Sequence, residues 1–319
     1  MRQVLLISLP HEIDEKYVKR IADLVHPMEV LVERDILNER VPIDQIEILI
    51  TYGKQVNADT LDLMTSLKWI QVFQSGVELI PMKELQKRGI LLTNIQDFHS
   101  IPLSEYVLSM LLYFTRAIPK YKKSQTVREW NRRELDGEIY GKTVAIFGAG
   151  KIGQVIAERC KFLGMNVIGV NTSGKRKHHF DDMYTMDQKL EVLKKSDFVV
   201  LLLPATEETY RCFGKKEFQA MKDSAYLINV GRETLIHTDE LIESLRAGDI
   251  KGAAIDVTDP EPLPADHPLW EVENLILTPH VAAVTERFFD RAIDKVALNW
   301  EAYKRNERPP YYIDLARGY

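Results

Sequence analysis

Short apolar segments alternate along the chain with segments whose apolar residues recur at helical spacing. This alternation is typical of parallel α/β proteins, because each crossover between parallel strands needs a connection about as long as a helix. In the first hundred residues the predicted strands are Val4–Leu9, Ile46–Ile50, Trp69–Phe73 and Ile90–Leu92. Helical patterns such as Asp14–Leu24 and Asn57–Met64 separate them. We therefore expect a first α/β domain here.

A second series of strands and helices begins after residue 140 and predicts a larger sheet. Its strands are Thr143–Phe147, Asn166–Val170, Phe198–Leu203, Ala225–Asn229, Gly252–Asp256 and Leu275–Leu277. An apolar helix, Leu103–Arg116, precedes the series, and an amphipathic helix at about Glu286–Arg305 follows it. The sequence therefore predicts an α/β protein with two doubly wound parallel sheets, of which the second is the larger.

The composition argues against nucleic acids and membranes as binding partners. The 319 residues carry 42 basic and 47 acidic side chains, a net charge of −5, without the basic excess that nucleic acids and anionic membranes attract. Cys160 and Cys212 lie in no CxxC pair, which is typical of a reducing compartment. The apolar run Tyr106–Phe114 is much shorter than the roughly 20 residues of a membrane span. We expect a cytosolic protein with neither nucleic-acid nor membrane partners.

The glycine-rich segment Gly148–Gly153 matches the pattern G-x-G-x-x-G. The pattern alone is weak, but here it follows a predicted strand and opens a helix predicted over Gln154–Leu163, which is the context of a dinucleotide site. The first glycine permits a tight turn, the second lets backbone approach pyrophosphate, and the third allows close helix packing. A glycine-rich turn without a ligand is the less favoured alternative. The predicted contacts are Gly148, Gly150, Lys151, Ile152 and Gly153.

The strand after this loop delivers Asn171 where dinucleotide-binding sheets usually place an acid on the adenosine ribose. Hydroxyl and basic residues follow it. One interpretation is a solvated basic loop, and the other is a pocket for the 2′-phosphate of NADP. We predict that NADP is preferred and that NAD is the alternative. The predicted contacts are Asn171, Thr172, Ser173, Lys175 and Arg176.

Three polar motifs each follow one of the last three predicted strands. They are Val230-Gly231-Arg232, Asp259-Pro260-Glu261-Pro262 and Thr278-Pro279-His280. In an open parallel sheet, ligands bind at the carboxyl ends of the strands. Each residue alone has an equally good structural interpretation, as a surface cation, a loop carboxylate or a core histidine. Together, in this order on one sheet, they favour a catalytic site.

With these motifs, the sequence resembles the D-isomer-specific 2-hydroxyacid dehydrogenase family over nearly its whole length, in the manner of glyoxylate and hydroxypyruvate reductases. The resemblance implies hydride transfer between NAD(P)H and C2 of a small 2-keto or 2-hydroxy acid. It implies a catalytic trio of Arg232, Glu261 and His280, and substrate binding by Ser75, Gly76, Val77 and Arg232. The further cofactor contacts that we predict are Leu203, Pro204, Thr209, Val230, Gly231, Arg232, Asp256 and His280.

The resemblance also implies a discontinuous architecture. A substrate domain of residues 1–99 and 286–319 would enclose an inserted dinucleotide-binding domain of residues 100–285, with an active-site cleft where they meet. The helix Leu103–Arg116 is more apolar than one domain requires. By the same resemblance, we expect this helix to support a homodimer.

The chemistry of keto-acid reduction explains these residue types. C2 receives a hydride and the C2 oxygen receives a proton. The imidazole of His280 can supply that proton near neutrality. A neighbouring Glu261 carboxylate favours imidazolium and holds the ring. The rigid guanidinium of Arg232 pairs with a carboxylate in a geometry that lysine lacks.

Three residues depart from the family pattern: Glu233 stands where Gly is usual, Glu78 where Asp is common, and Asn171 where an acid is expected. The other histidines, including His99, show no metal-ligand spacing, so no metal is predicted. Two alternative functions stay open. One is phosphoglycerate dehydrogenase, and the other is a non-enzymatic nucleotide sensor like the corepressors of the same superfamily.

Overall fold

A computed structural model of the chain describes residues 3–96, 98–132 and 137–316. The strands are β1 (Val4–Ser8), β2 (Glu29–Val32), β3 (Ile46–Thr51), β4 (Trp69–Val72), β5 (Leu91–Thr93), β6 (Thr143–Phe147), β7 (Asn166–Val170), β8 (Asp182–Tyr184), β9 (Phe198–Leu201), β10 (Tyr226–Asn229), β11 (Gly252–Ile255) and β12 (Leu275–Leu277). The α-helices are α1 (Glu15–Val25), α2 (Ala58–Leu63), α3 (Met82–Arg88), α4 (Ser100–Thr115), α5 (Ile118–Thr126), α6 (Lys151–Phe162), α7 (Lys189–Lys195), α8 (Lys215–Ala220), α9 (Thr238–Ala247) and α10 (Phe288–Lys304).

The chain divides into two compact units. The first comprises Met1–Phe98 and Thr285–Tyr319, and the second is the continuous segment His99–Val284. In the first unit, the described residues form a five-stranded parallel sheet in the order β2-β1-β3-β4-β5. This order is that of a doubly wound sheet of the flavodoxin type.

Both faces of the first sheet are buried. Leu5 and Ile7 of β1 pack with residues of α1 and α10 on one face. Leu6, between them in sequence, packs with residues of α2 and α3 on the other face. Since successive side chains of a strand point to opposite faces, a strand covered on both faces needs a continuous apolar run. This is why β1 has no polar alternation.

The second unit has, in its described residues, a seven-stranded parallel sheet in the order β12-β11-β10-β9-β6-β7-β8. Helices α4 and α6 cover one face, and α7, α8 and α9 cover the other. The strand order reverses between β6 and β9, so the connections that leave these two strands diverge. The crevice outside the carboxyl ends of the strands at this point is where dinucleotides bind in such sheets.

The predicted fold class, two doubly wound parallel sheets with a dinucleotide-binding arrangement in the second, is confirmed. Two strands were not predicted: β2 and β8 are short, lie at sheet edges and are only partly buried. The predicted start of α6 at Gln154 was wrong, because Lys151 and Ile152 already form its first turn. Several strand ends differ by one or two residues, for example at β9, which ends at Leu201.

Within the described residues, no helix is both long enough and apolar enough to cross a membrane.

Candidate active site

The glycine-rich loop joins β6 to α6. Gly148 has φ +111°, and a Cβ there would lie 2.8 Å from the carbonyl of Leu202, so a larger residue does not fit. A Cβ on Gly153 would clash with the carbonyl oxygen of Gly148, which is the close packing of helix on loop that the motif predicts. Gly150, the N-cap of α6, faces open space and supplies no capping side chain. The first-turn N–H groups of α6 therefore suit an anion, and the loop fits a dinucleotide pyrophosphate.

The segment after β7 is a turn held together by Asn171. Its Oδ1 accepts hydrogen bonds from the backbone N–H groups of Ser173 (3.0 Å) and Gly174 (2.7 Å). Its own N–H donates to the carbonyl of Tyr184 (3.1 Å). Thr172 and Ser173 are exposed at the tip. Oδ1 of Asn171 is therefore occupied by its own turn, and the Ser173 hydroxyl also bonds within the turn, to Asn171 and to the N–H of Lys175.

Beyond this turn, the exposed basic segment 175–179, which begins with Lys175, borders a groove of about 570 Å³. The groove also reaches Gln154, which lies in the first turns of α6, just after the glycine-rich loop. Its positive charges favour an anionic group beside the pyrophosphate site. The lining residues are Gln154, Arg176, Lys177, His178, His179 and Phe180.

The predicted catalytic residues follow three neighbouring strands. β10, β11 and β12 are adjacent and parallel. Arg232 comes after β10, Glu261 after β11 and His280 after β12. All three therefore lie in segments that leave the carboxyl edge of the sheet.

His280 and Glu261 are in direct contact. Nδ1 of His280 lies 2.9 Å from Oε2 of Glu261, and Oε1 of Glu261 accepts a hydrogen bond from the N–H of Thr258 (3.1 Å). Partial burial acts to raise the pKa of Glu261, but the hydrogen bonds from His280 and Thr258 outweigh it and the pKa is lowered. Because the carboxylate faces Nδ1, the other ring nitrogen, Nε2, is the one that can meet a substrate.

The backbone around His280 is held by the buried carboxylate of Asp256, which is 3% exposed. Oδ1 accepts from the hydroxyl of Thr278 (2.6 Å) and the N–H of Val281 (2.9 Å), and Oδ2 accepts from the N–H of Ala282 (2.8 Å). His280 has φ +55°. A non-glycine residue stays in this left-handed region only where its surroundings fix it. Asp256 supplies that fixation.

Arg232 and His99 are close enough for their charges to interact. Burial first, and then the guanidinium of Arg232, lower the pKa of His99 to about 4, so His99 is neutral at pH 7. The Arg232 loop is itself fixed by buried Asn229, whose Nδ2 donates to the Arg232 carbonyl and whose Oδ1 accepts from the N–H of Gly231, both at 3.1 Å. Sequence reasoning set His99 aside, because no motif links the start of α4 to the end of β10.

The remaining predicted cofactor contacts differ in exposure. Leu203 and Val230 are buried, and Pro204 is exposed. The hydroxyl of buried Thr209 donates to the carbonyl of Pro204 (2.6 Å) and so braces the loop after β9. The side chains of Thr209 and Asp256, both predicted cofactor contacts, are thus hydrogen-bonded to other groups of the protein.

The first unit carries the segment Ser75-Gly76-Val77, here called the carboxylate loop, after β4. The Ser75 hydroxyl donates to the carbonyl of Ile95 (3.1 Å), and the Ser75 carbonyl accepts from Nδ2 of Asn94 (2.6 Å). The Ser75 side chain and carbonyl are therefore both hydrogen-bonded inside this unit, and the predicted role of the loop in substrate binding stays a prediction.

The two acidic departures from the family pattern have local explanations. Glu78 folds its carboxylate against Gly76, where a Cβ would clash with it. Glu233 begins the 3-10 turn Glu233–Leu235, a right-handed conformation that does not require glycine. Among the residues that the structure describes, no group of three His, Cys, Asp or Glu side chains is arranged to hold a metal ion.

Comparison with known proteins places this geometry in a family. A family model for the D-isomer specific 2-hydroxyacid dehydrogenase, NAD binding domain, matches residues 108–282. The chain is 30% identical over 299 residues to a glyoxylate reductase of Thermococcus gammatolerans. The match covers 91% of this chain and 89% of that protein. A D-isomer specific 2-hydroxyacid dehydrogenase family protein from Aeromonas salmonicida has a similar structure, with a TM-score of 0.85 and 31% identity over 99% of this chain and 100% of that one.

A probable 2-hydroxyacid dehydrogenase from Rhizobium etli, solved in complex with NADP, HEPES and L(+)-tartaric acid, has a TM-score of 0.78 and 27% identity over the full length of both chains (100%). The chain therefore belongs to the D-isomer-specific 2-hydroxyacid dehydrogenase family, as its sequence motifs predict. It is an NAD(P)-dependent oxidoreductase that interconverts 2-hydroxy and 2-keto acids.

Proposed function

We propose that this protein is a reductase of small 2-keto acids, with glyoxylate or hydroxypyruvate as substrate and NADPH as the preferred cofactor. The main support for a reductase is the contact between Nδ1 of His280 and Oε2 of Glu261, at 2.9 Å. The choice of acid is supported by the name of the Thermococcus relative. The choice of cofactor is supported by the turn around Asn171.

The trio divides the chemistry among its members. Arg232 binds the carboxylate of the keto acid through its guanidinium. When bound, the nicotinamide supplies the hydride that C2 receives. His280 gives the proton on Nε2 to the C2 oxygen, and it keeps the proton on Nδ1, which Glu261 holds. Hydride and proton together complete a two-electron reduction of the ketone to the alcohol.

Asn171 carries the argument for NADPH. An Asp at this position would accept the same two backbone N–H groups as Asn171 does, but it would add a negative charge where a 2′-phosphate must approach. Thr172, Lys175 and Arg176 are exposed in the same segment, and they supply a hydroxyl and two positive charges. A hydrogen bond to a charged group contributes about 1.5–3 kcal/mol, or roughly 10- to 150-fold in affinity.

The test measures kcat/KM with NADPH and with NADH for glyoxylate, hydroxypyruvate, pyruvate and 3-phosphohydroxypyruvate. The wild type is expected to prefer NADPH by roughly 10- to 150-fold. Arg176→Ala should lower NADPH use and leave NADH use unchanged. Asn171→Asp, which keeps the turn, should lower NADPH use without lowering NADH use, because an acid here can bind the adenosine ribose. Lys216→Ala removes an exposed cation on α8 and serves as the matched control.

Three results would contradict the proposal. Equal or better use of NADH by the wild type would remove the NADPH preference. Turnover of 3-phosphohydroxypyruvate above the other acids would indicate phosphoglycerate dehydrogenase. Tight cofactor binding without turnover of any acid would indicate the nucleotide sensor.

We further propose a homodimer formed through α4, whose Ile101 and Leu112 are apolar and exposed. A solution mass equal to the 36.8 kDa of one chain would contradict it. Cys160 and Cys212 are free thiols. This supports a cytosolic location, since cysteines stay reduced in the cytosol.

A further inference from the structure

Asn94 is a buried asparagine directly after β5, and only 2% of it is exposed. Its Nδ2 donates to the carbonyl of Ser75 at 2.6 Å, and its backbone N–H donates to the carbonyl of Tyr311 at 3.2 Å. Its Oδ1 is buried and has no hydrogen-bond partner in the described part of the chain. A buried polar atom without a partner is destabilising. Stability alone therefore does not explain an asparagine here.

The bond from Asn94 determines the direction of the peptide that joins Ser75 to Gly76. In a trans peptide, the C=O and the N–H point in opposite directions. Since Asn94 holds the Ser75 carbonyl toward the interior of the first unit, the N–H of Gly76 must point the other way. The Ser75 hydroxyl is bonded to the carbonyl of Ile95, so the residue on one side of this peptide is held at a second point.

We propose that Asn94 is a positioning residue for substrate binding, which orients the Ser75–Gly76 peptide so that the N–H of Gly76 donates to the substrate carboxylate. The inference rests on the proposed function of the carboxylate loop. Asn94 itself stays buried and does not touch the substrate. An N–H bound to a charged acceptor contributes more than one bound to a neutral acceptor, so a rotated peptide would weaken carboxylate binding specifically.

The C-terminal tail contacts the backbone of Asn94 and takes no part in the side-chain bond from Asn94 to Ser75. The N–H of Tyr311, whose carbonyl accepts from Asn94, donates to Oδ1 of Asn299 at 3.2 Å. Nδ2 of Asn299, a residue of α10, donates to Oε1 of Gln71 at 2.8 Å. Asn299 is as deeply buried as Asn94, but its side chain bonds to the tail and to β4 rather than to the carboxylate loop. It therefore offers a matched control for a purely structural loss.

The experiment compares the wild type with Asn94→Ala, Asn94→Asp and Asn299→Ala. Asp keeps the size of the asparagine but lacks the N–H donor, so it serves if the Ala variant does not fold. The readouts are KM and kcat for glyoxylate at saturating NADPH, Kd for NADPH, and Kd for oxalate measured by calorimetry on the NADPH-bound protein. Both Asn94 variants should raise KM and the oxalate Kd about tenfold or more. In these variants, kcat and the NADPH Kd should stay within about threefold of wild type, because neither reports carboxylate binding.

Two outcomes would overturn the inference. One is an oxalate Kd within about twofold of wild type in both Asn94 variants. The other is an equal rise in Asn299→Ala at the same loss of thermal stability, which would make Asn94 merely structural. If the wild type turns over no keto acid but binds oxalate, the proposed function fails and the oxalate Kd still decides the inference. If the wild type neither turns over a keto acid nor binds oxalate, both the proposed function and this inference fail.

Discussion

Two segments at the carboxyl edge of the second sheet are fixed in different ways. The segment that carries His280 is held by Asp256, which belongs to the neighbouring strand connection and is buried. The turn after β7 is held by Asn171, which is part of that turn, and its tip is exposed. The first arrangement exists only once β11 and β12 have paired, whereas the side-chain bonds of the second join residues of one short turn.

This difference separates the proton donor from the choice of cofactor. Substitutions at exposed positions away from packed contacts usually change stability by no more than about 0.5 kcal/mol. The segment 172–177 can therefore exchange the groups that it offers to a cofactor while the fold is unaffected. Loss of the Asp256 carboxylate instead removes the acceptor of the N–H groups of Val281 and Ala282. We expect cofactor preference to be far easier to alter than the placement of the imidazole.

The largest effect is expected for His280→Ala. Loss of a general acid typically lowers turnover about 10²- to 10⁴-fold. The comparison requires that Arg176→Ala, in the exposed segment, keeps kcat with NADH near wild type. Steady-state reduction of glyoxylate gives kcat, and fluorescence titration should show a nearly unchanged Kd for NADPH. More than half of the wild-type kcat in His280→Ala at pH 7 would show that this histidine is not the proton donor.

A smaller effect separates Asp256→Asn from Asn171→Ala. An amide at position 256 turns a donor toward backbone N–H groups, so the free energy of unfolding should fall by about 1–3 kcal/mol. Removal of the Asn171 side chain should cost less than about 1 kcal/mol, since its turn is short and solvated. Urea unfolding, followed by fluorescence and circular dichroism, measures both. Equal losses in the free energy of unfolding would mean that the His280 segment and the Asn171 turn are held equally firmly, which would contradict the difference described above.

The smallest effect concerns pH and Glu261→Gln. Since the pKa of Glu261 is lowered by folding, its carboxylate stabilises the protein above its unfolded pKa, near 4.3, and this contribution is lost as pH falls through the lower folded value. The difference in Tm between wild type and Glu261→Gln should therefore shrink below about pH 4. The pH profile of keto-acid reduction should also differ between the two proteins, because Glu261→Gln removes the carboxylate that contacts Nδ1 of His280. Superimposable pH profiles would remove Glu261 from proton transfer.

Local patterns carried most of what the sequence predicted correctly. The apolar runs of β6 and β7 and the glycines between β6 and α6 follow from short-range rules, so the sheet and the phosphate loop were predictable. The edge strands β2 and β8 were missed because they are short and half-exposed, and this weakens the apolar signal. The start of α6 was placed too late, because Gly153 was assigned to the loop rather than to the helix.

Contacts between distant residues account for what the sequence did not reveal. No spacing rule links Asp256 to the N–H groups of residues 281 and 282, or His99 to Arg232. For the same reason, Asn94 attracted no notice, since its importance comes from a carbonyl nineteen positions earlier in the chain. The predicted roles of Thr209 and Asp256 in cofactor binding stay predictions, while the structure gives their side chains bonds inside the protein.

The division of the chain has a consequence for its biosynthesis. The second unit is one continuous segment, His99–Val284, whereas the first also needs Thr285–Tyr319. Domains fold as units while the ribosome adds about 5–20 residues per second. The N–H of Ile313 donates to the carbonyl of Leu92 at 3.0 Å, so β5 gains this partner only after residue 313 has been made. The nascent protein can therefore form its dinucleotide-binding sheet while the earlier-synthesised unit still lacks the helix and tail that close it.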